Sequence, residues 1–140
     1  KLAWYDALIE HLRARHDLTP PTFVCGVLNI CPSALDSWNE ERLAGHIFHT
    51  DEERARFQSL LDCGLTDVYR ERYPDSQEFS WWDYRGGAFH RKQGLRIDFL
   101  LASRSASDRI EAVEIDREYR KKKEGLTASD HAPVFADLVS

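Results

Sequence analysis

A chain of 140 residues, 42% hydrophobic and 31% charged, has the size and composition of one globular domain, which excludes a disordered or low-complexity segment. Its formal charge of −5 excludes a generally basic coat for nucleic acid, so any contact with a polyanion has to rest on a local site. No apolar run approaches the roughly 20 residues of a membrane-spanning helix, and no signal-peptide apolar core is present. Cys25, Cys31 and Cys63 lack metal-ligand spacing and read as free thiols of a reducing compartment, with the cytoplasm as the expected location. The chain opens on Lys1 and contains no Met, which reads as a fragment or a processed product.

Leu2, Tyr5, Leu8, Ile9 and Leu12 recur at spacings of three and four, which predicts an opening amphipathic helix that Pro20 and Pro21 end. Residues 23–28 form an apolar run and predict a buried strand. Residues 32–50 are polar and predict a surface loop with room for a short helix. Thr50 with Glu53 is a capping-box signal for a helix through Phe57, Leu60 and Leu61 that stops at Gly64. Residues 65–73 predict another short helical piece, and residues 78–84 an aromatic strand. Gly86-Gly87 predicts a turn, residues 96–102 a second buried strand, and residues 110–115 an alternating third. A charged loop over 118–124 and a last strand over 133–138 complete the order. Together they predict an α/β (α+β) domain spanning 1–140, one mainly antiparallel sheet with helices on one face and the other face uncovered.

Three short segments carry candidate chemistry. Gly26-Val27-Leu28-Asn29 ends a strand in a polar residue, where α/β proteins tend to place sites, although Asn is also an ordinary turn former. Asp98 interrupts an apolar strand; it either pairs with Arg96 or a neighbour, or orients a histidine. Ser129-Asp130-His131-Ala132-Pro133 precedes a strand and reads either as a capping loop or as an Asp-His pair for metal or phosphate chemistry. Residues 117–123 make a local basic run, either solvated or set against a phosphate backbone, to which Arg85, Arg91 and Lys92 could add. His46 and His49 stand three apart with no accompanying ligands and do not by themselves point to a metal.

The segments together, with Phe79-Ser80-Trp81-Trp82-Asp83-Tyr84-Arg85 and Gly94-Leu95-Arg96-Ile97-Asp98, resemble the exonuclease III and abasic-site endonuclease branch of the endonuclease/exonuclease/phosphatase superfamily. Order and spacing match over nearly the whole chain, and the 79–85 segment favours the DNA-cleaving branch over those acting on phosphoinositides or sphingomyelin. The resemblance implies a four-layer αββα sandwich of which this chain is the C-terminal half. It implies Mg²⁺-dependent (or Mn²⁺-dependent) hydrolysis of a DNA phosphodiester, at an abasic site or a 3′ end. Asn29 would help position the phosphate, and Asp98 would accept a hydrogen bond from His131, which contacts the scissile phosphate. Asp130 would join the metal shell, Trp81 and Leu95 would line a pocket for the abasic sugar, and Arg85 would contact DNA.

Two departures follow. The family pattern has Gly-Asp-x-Asn where this chain has Val27, and valine cannot take a proton from water. The family's first-half Asn, metal-ligating Glu and Tyr cannot be located here, so the metal is weakly held without the missing half. The expectation is a chain with little nuclease activity alone. The alternative is a non-catalytic DNA-binding remnant, or one that dimerises or binds the missing half through its uncovered sheet face.

Overall fold

The structure, a computed structural model, describes residues 1–15, 17–121 and 123–140. Lys122, within the basic run, lies outside the described residues. In chain order the elements are α1 (Leu2–Arg15), β1 (Phe23–Val27), α2 (Glu40–Leu43), α3 (Asp51–Leu61), β2 (Leu65–Asp67), α4 (Val68–Arg72), β3 (Trp81–Trp82), β4 (Gly94–Leu95), β5 (Asp98–Ser103), α5 (Arg104–Ser107), β6 (Ile110–Ile115) and β7 (Val134–Leu138). All strand pairing is antiparallel. Hydrogen bonding divides it into three sheets where one was expected: β1-β5-β2, β3-β4 and β6-β7.

The main core lies between the first sheet and two helices. Tyr5, Ile9 and Leu12 of α1 meet Phe57 and Leu60 of α3, and both sets pack on Phe99 and Leu101 of β5. Thr50 starts α3 as the sequence predicts. Its hydroxyl accepts from the Glu53 N–H at 3.1 Å, and the Glu53 carboxylate accepts from the Thr50 N–H at 3.2 Å. Burial pushes the Glu53 carboxyl upward, but hydrogen bonds from Lys1 and Thr50 outweigh it and hold the group below its ordinary range. Thr50→Ala is expected to lower stability by about 1 kcal/mol, read as a shifted urea midpoint at unchanged slope. After α3 the chain turns at Gly64 (φ 110°), a backbone conformation that side chains rarely adopt.

Several expectations need correction. Residues 23–28 do form a strand, but Phe23, Cys25, Gly26 and Val27 are exposed rather than buried. The reason is one-sided cover: α1 and α3 pack on the face that carries Val24, and no described element covers the other. Residues 32–50 are not a plain surface loop, since Asp36, Ser37 and His49 are buried. Residues 65–67 are a strand paired with β5 before the short helix begins. Only Trp81 and Trp82 of the 78–84 stretch pair as a strand, and 96–102 splits, with β5 starting at Asp98.

That split is caused by charge. Arg96, 1% exposed, leaves the strand direction to enter a buried ionic cluster. Its Nε donates to Asp36 at 2.6 Å, and its two terminal nitrogens fork onto the Asp67 carboxylate at 2.9 and 2.7 Å. Arg70 adds a second donor to Asp36 at 2.5 Å. The cluster ties the 32–50 segment to β2 and to the β4-β5 junction, and so sets where Leu95 and Asp98 emerge.

Candidate active site

The short hairpin β3-β4 and the 129–133 loop assemble the site. Trp81 pairs with Leu95 and Trp82 with Gly94. Gly94 is needed for contact rather than for turning: a Cβ there would stand 2.4 Å from the Trp82 indole nitrogen and 2.7 Å from Phe79. Trp82 is 1% exposed and belongs to the core, whereas its neighbour Trp81 faces the other way and is half-buried. On its far side β3 holds the loop, because Trp82 N–H donates to the Asp130 carbonyl at 3.1 Å and Ala132 N–H to the Ser80 carbonyl at 2.8 Å.

This pairing brings Asp98 and His131 together across 33 residues. Nδ1 of His131 lies 2.9 Å from both carboxylate oxygens of Asp98. Nδ1 is thus the ring nitrogen turned to the carboxylate, which leaves Nε2 toward Asp130. The Nε2 to Asp130 Oδ1 distance is 4.0 Å. Arg96 is not the partner of Asp98, because its guanidinium is taken by Asp36 and Asp67. The His131 and Asp98 side chains are 30% and 16% exposed, which leaves the ring reachable from solvent while its acceptor is largely screened.

Asp130 has a donor of its own. The Trp81 indole N–H reaches its Oδ2 at 3.0 Å, leaving Oδ1 on the His131 side. Trp81, Leu95 and Arg85 line one open cavity of about 560 Å³, together with Trp38, Phe48 and Ala88. Arg85 stands at its exposed rim, held by Asp83 at 2.8 Å. Asn29 lies beyond the end of β1 in a left-handed conformation (φ 55°), exposed, with its carbonyl accepting from Lys1 at 2.8 Å. The backbone beside it is tied to the approach to β5: Leu28 N–H donates to the Ile97 carbonyl at 2.9 Å, one residue before Asp98. Val27 is the direct cross-strand partner of Asp98 and is 48% exposed.

His46 and His49 line the same cavity. His49 is buried and bonded to Ser37 at 2.8 Å and to the Ile47 carbonyl at 3.0 Å. Arg117 and Arg120 stack against Phe89, with centroid distances of 4.1 and 5.0 Å, so this part of the basic run faces the small core of Trp82, Ala88, Phe89 and Ala132. Cys31 is buried and its thiol is pushed up to about 12, chiefly by burial and then by Asp36. Ser80 and the Trp81 indole N–H are polar contributors to which the motif alone assigned no bonding role. Their place inside the 79–85 segment was the only available signal.

Among the described residues no group of three or more His, Cys, Asp or Glu side chains is gathered closely enough to hold a metal ion. Asp130 offers one carboxylate, which holds Mg²⁺ only together with waters, substrate phosphate or further ligands. The described residues do not by themselves make a closed metal site.

The Asp98–His131 pair and the second carboxylate, Asp130, thus stand beside Trp81, which lines the cavity. The profile of the Endonuclease/Exonuclease/phosphatase family matches residues 1–131, and the chain belongs to that family. Exodeoxyribonuclease III of Haemophilus influenzae is 37% identical over 145 residues, covering 99% of this chain and 53% of that protein. Among solved structures, a Neisseria 3′ phosphatase bound to a product DNA hairpin superposes with a TM-score of 0.89 at 38% identity, covering 99% of this chain and 52% of that one. An AP endonuclease from Archaeoglobus fulgidus gives 0.89 at 27% identity, covering 98% and 52%. The chain thus spans about half the length of the relatives it matches. Among the described residues no helix is long and apolar enough to cross a membrane.

Proposed function

We propose that this chain is the C-terminal half of a DNA phosphodiesterase fold, forming a single domain, and that it supplies the histidine side of an abasic-site endonuclease or 3′-exonuclease centre. The observation that supports this reading is the Asp98–His131 pair at 2.9 Å, set beside Asp130 and the Trp81–Leu95 cavity. Asp98 fixes the ring with its Nε2 edge toward the phosphate oxygens, where charge builds. Asn29 adds a neutral donor from the neighbouring strand end. A base-less sugar enters the apolar cavity against Trp81 and Leu95, and Arg85 contacts the backbone at the rim.

The cofactor proposed for the complete fold is Mg²⁺, or Mn²⁺, with Asp130 as one ligand and the remainder contributed from outside these 140 residues. No proton acceptor stands at Val27. Alone, the chain is therefore proposed to be impaired in hydrolysis. The exposed apolar face of β1, with Phe23 and Val27, is where the missing half or a second copy would pack. The cytoplasm is the proposed location.

A second reading is favoured by Val27 itself. An exposed aliphatic side chain opposite Asp98 suits a remnant that binds DNA without cutting it. One experiment tests both readings. The chain is mixed with an abasic-site duplex and Mg²⁺, and both incision and binding are followed across a salt series. Binding that weakens with salt and no incision is expected. Incision by the unmodified chain would sink the claim of impairment, and absence of any DNA binding would sink the nucleic-acid role.

A further inference from the structure

Ser80 is fully buried and makes more polar contacts than its size suggests. Its hydroxyl donates to Oδ2 of Asp98 at 2.6 Å and accepts the backbone N–H groups of Ile97 at 3.0 Å and Asp98 at 3.1 Å. Its own N–H donates to the Leu95 carbonyl at 3.0 Å, and its carbonyl accepts from Ala132 at 2.8 Å. One residue thus touches the cavity wall, the carboxylate that holds the histidine, and the loop that carries the histidine. A serine needed only to fill space would not require its oxygen to be saturated in this way. An aspartate rotates about its side-chain bonds unless something holds it, and a short hydrogen bond to an anionic oxygen is among the stronger ones available.

We propose that Ser80 is a positioning residue for the Asp98–His131 pair. It locks the Asp98 carboxylate in the rotation that accepts the His131 Nδ1–H, and so leaves Nε2 free on the solvent side. With the hydroxyl absent, the carboxylate turns, the Ile97 and Asp98 N–H groups lose their acceptor, and the ring is free to place its proton on Nε2. The consequence for chemistry rests on the reading of His131 as the phosphate-facing group, but the orienting role does not.

The test is therefore made without DNA or metal. Nitrogen-15 NMR of the histidine side chains is recorded at a pH well above the ordinary imidazole value of about 6.5, with His131 identified by comparison with His131→Asn. The unmodified chain is expected to show the Nδ1–H tautomer. Ser80→Ala is expected to move the tautomer ratio by about tenfold toward Nε2–H, and Ser80→Thr, which keeps the hydroxyl, to restore it. An Nε2–H tautomer in the unmodified chain would overturn the proposal. So would an unchanged ratio in Ser80→Ala, or equal loss in Ser80→Ala and Ser80→Thr, which would mark a packing effect. If Ser80→Ala does not fold, Ser80→Cys, of similar shape but a much weaker donor, answers the same question. A tautomer shift combined with absence of any DNA binding would refute the nucleic-acid reading and leave the positioning role standing.

Discussion

With the remaining metal ligands supplied by the complementary half of the fold, Val27→Asp is expected to raise Mg²⁺-dependent incision of an abasic duplex by about 10²- to 10⁴-fold over the Val27 chain. The expectation comes from register. Val27 pairs directly with Asp98 in the antiparallel β1-β5 ladder, so their side chains share one face with Cβ atoms about 4.5–5.5 Å apart. Val27 is 48% exposed, so a carboxylate there has room and reaches solvent. Its neighbour Asp98 is a like charge, which favours proton uptake by the new group and suits it to act as a base. Single-turnover rates for the two chains decide the matter. Incision by the variant alone would show that one carboxylate is the defect. If neither chain cuts, the ligands supplied from outside the 140 residues are the limiting element. Equal cutting by both would show that position 27 carries no base function.

Arg96→Met is expected to cost about 3–5 kcal/mol, a large part of the stability of an ordinary domain, and to unfold much of the population at ambient temperature. The loss is not of the attraction alone. Both carboxylates are buried; Asp67 would be left without its cation and Asp36 with Arg70 alone. Arg96→Lys is expected to fail almost as badly, since one ammonium cannot fork onto Asp67 and reach Asp36 together. Urea unfolding followed by tryptophan fluorescence reads this directly, and a loss below about 1 kcal/mol would refute the central role of the cluster.

The same cluster gives a pH dependence. Burial pushes the Asp36 carboxyl upward, but Arg96 and then Arg70 outweigh it, so its folded value lies below the ordinary one. A depressed carboxyl contributes stability that is complete above its unfolded value, near 4, and is lost as the pH falls through the lower folded value. Acid unfolding of the native chain therefore belongs below about pH 4.

Much of the fold was legible in local chemistry. Thr50 and Glu53 form the capping box at their own helix start, and 110–115 is a strand over the same residues the alternation marked. Such features depend on neighbours a few residues away, and the sequence displays those neighbours directly. The candidate site was legible in a different way. The segments around Asn29, Asp98 and His131 pointed to one chemistry as a set, while each alone allowed a bland alternative.

What the sequence determined by itself was therefore the inventory: the helices, the capping, the family's motifs and the substitution at position 27. What only the tertiary structure decided was pairing over long separations. Nothing local says that Arg96 answers Asp36 and Asp67, 60 and 29 residues away, and so leaves Asp98 to His131. Nor does it say that the polar 32–50 segment must be buried to deliver Asp36, or that Ser80 closes the shell around Asp98. A buried charge takes whichever partner the packed chain brings within hydrogen-bond reach, and that choice is made by the fold as a whole.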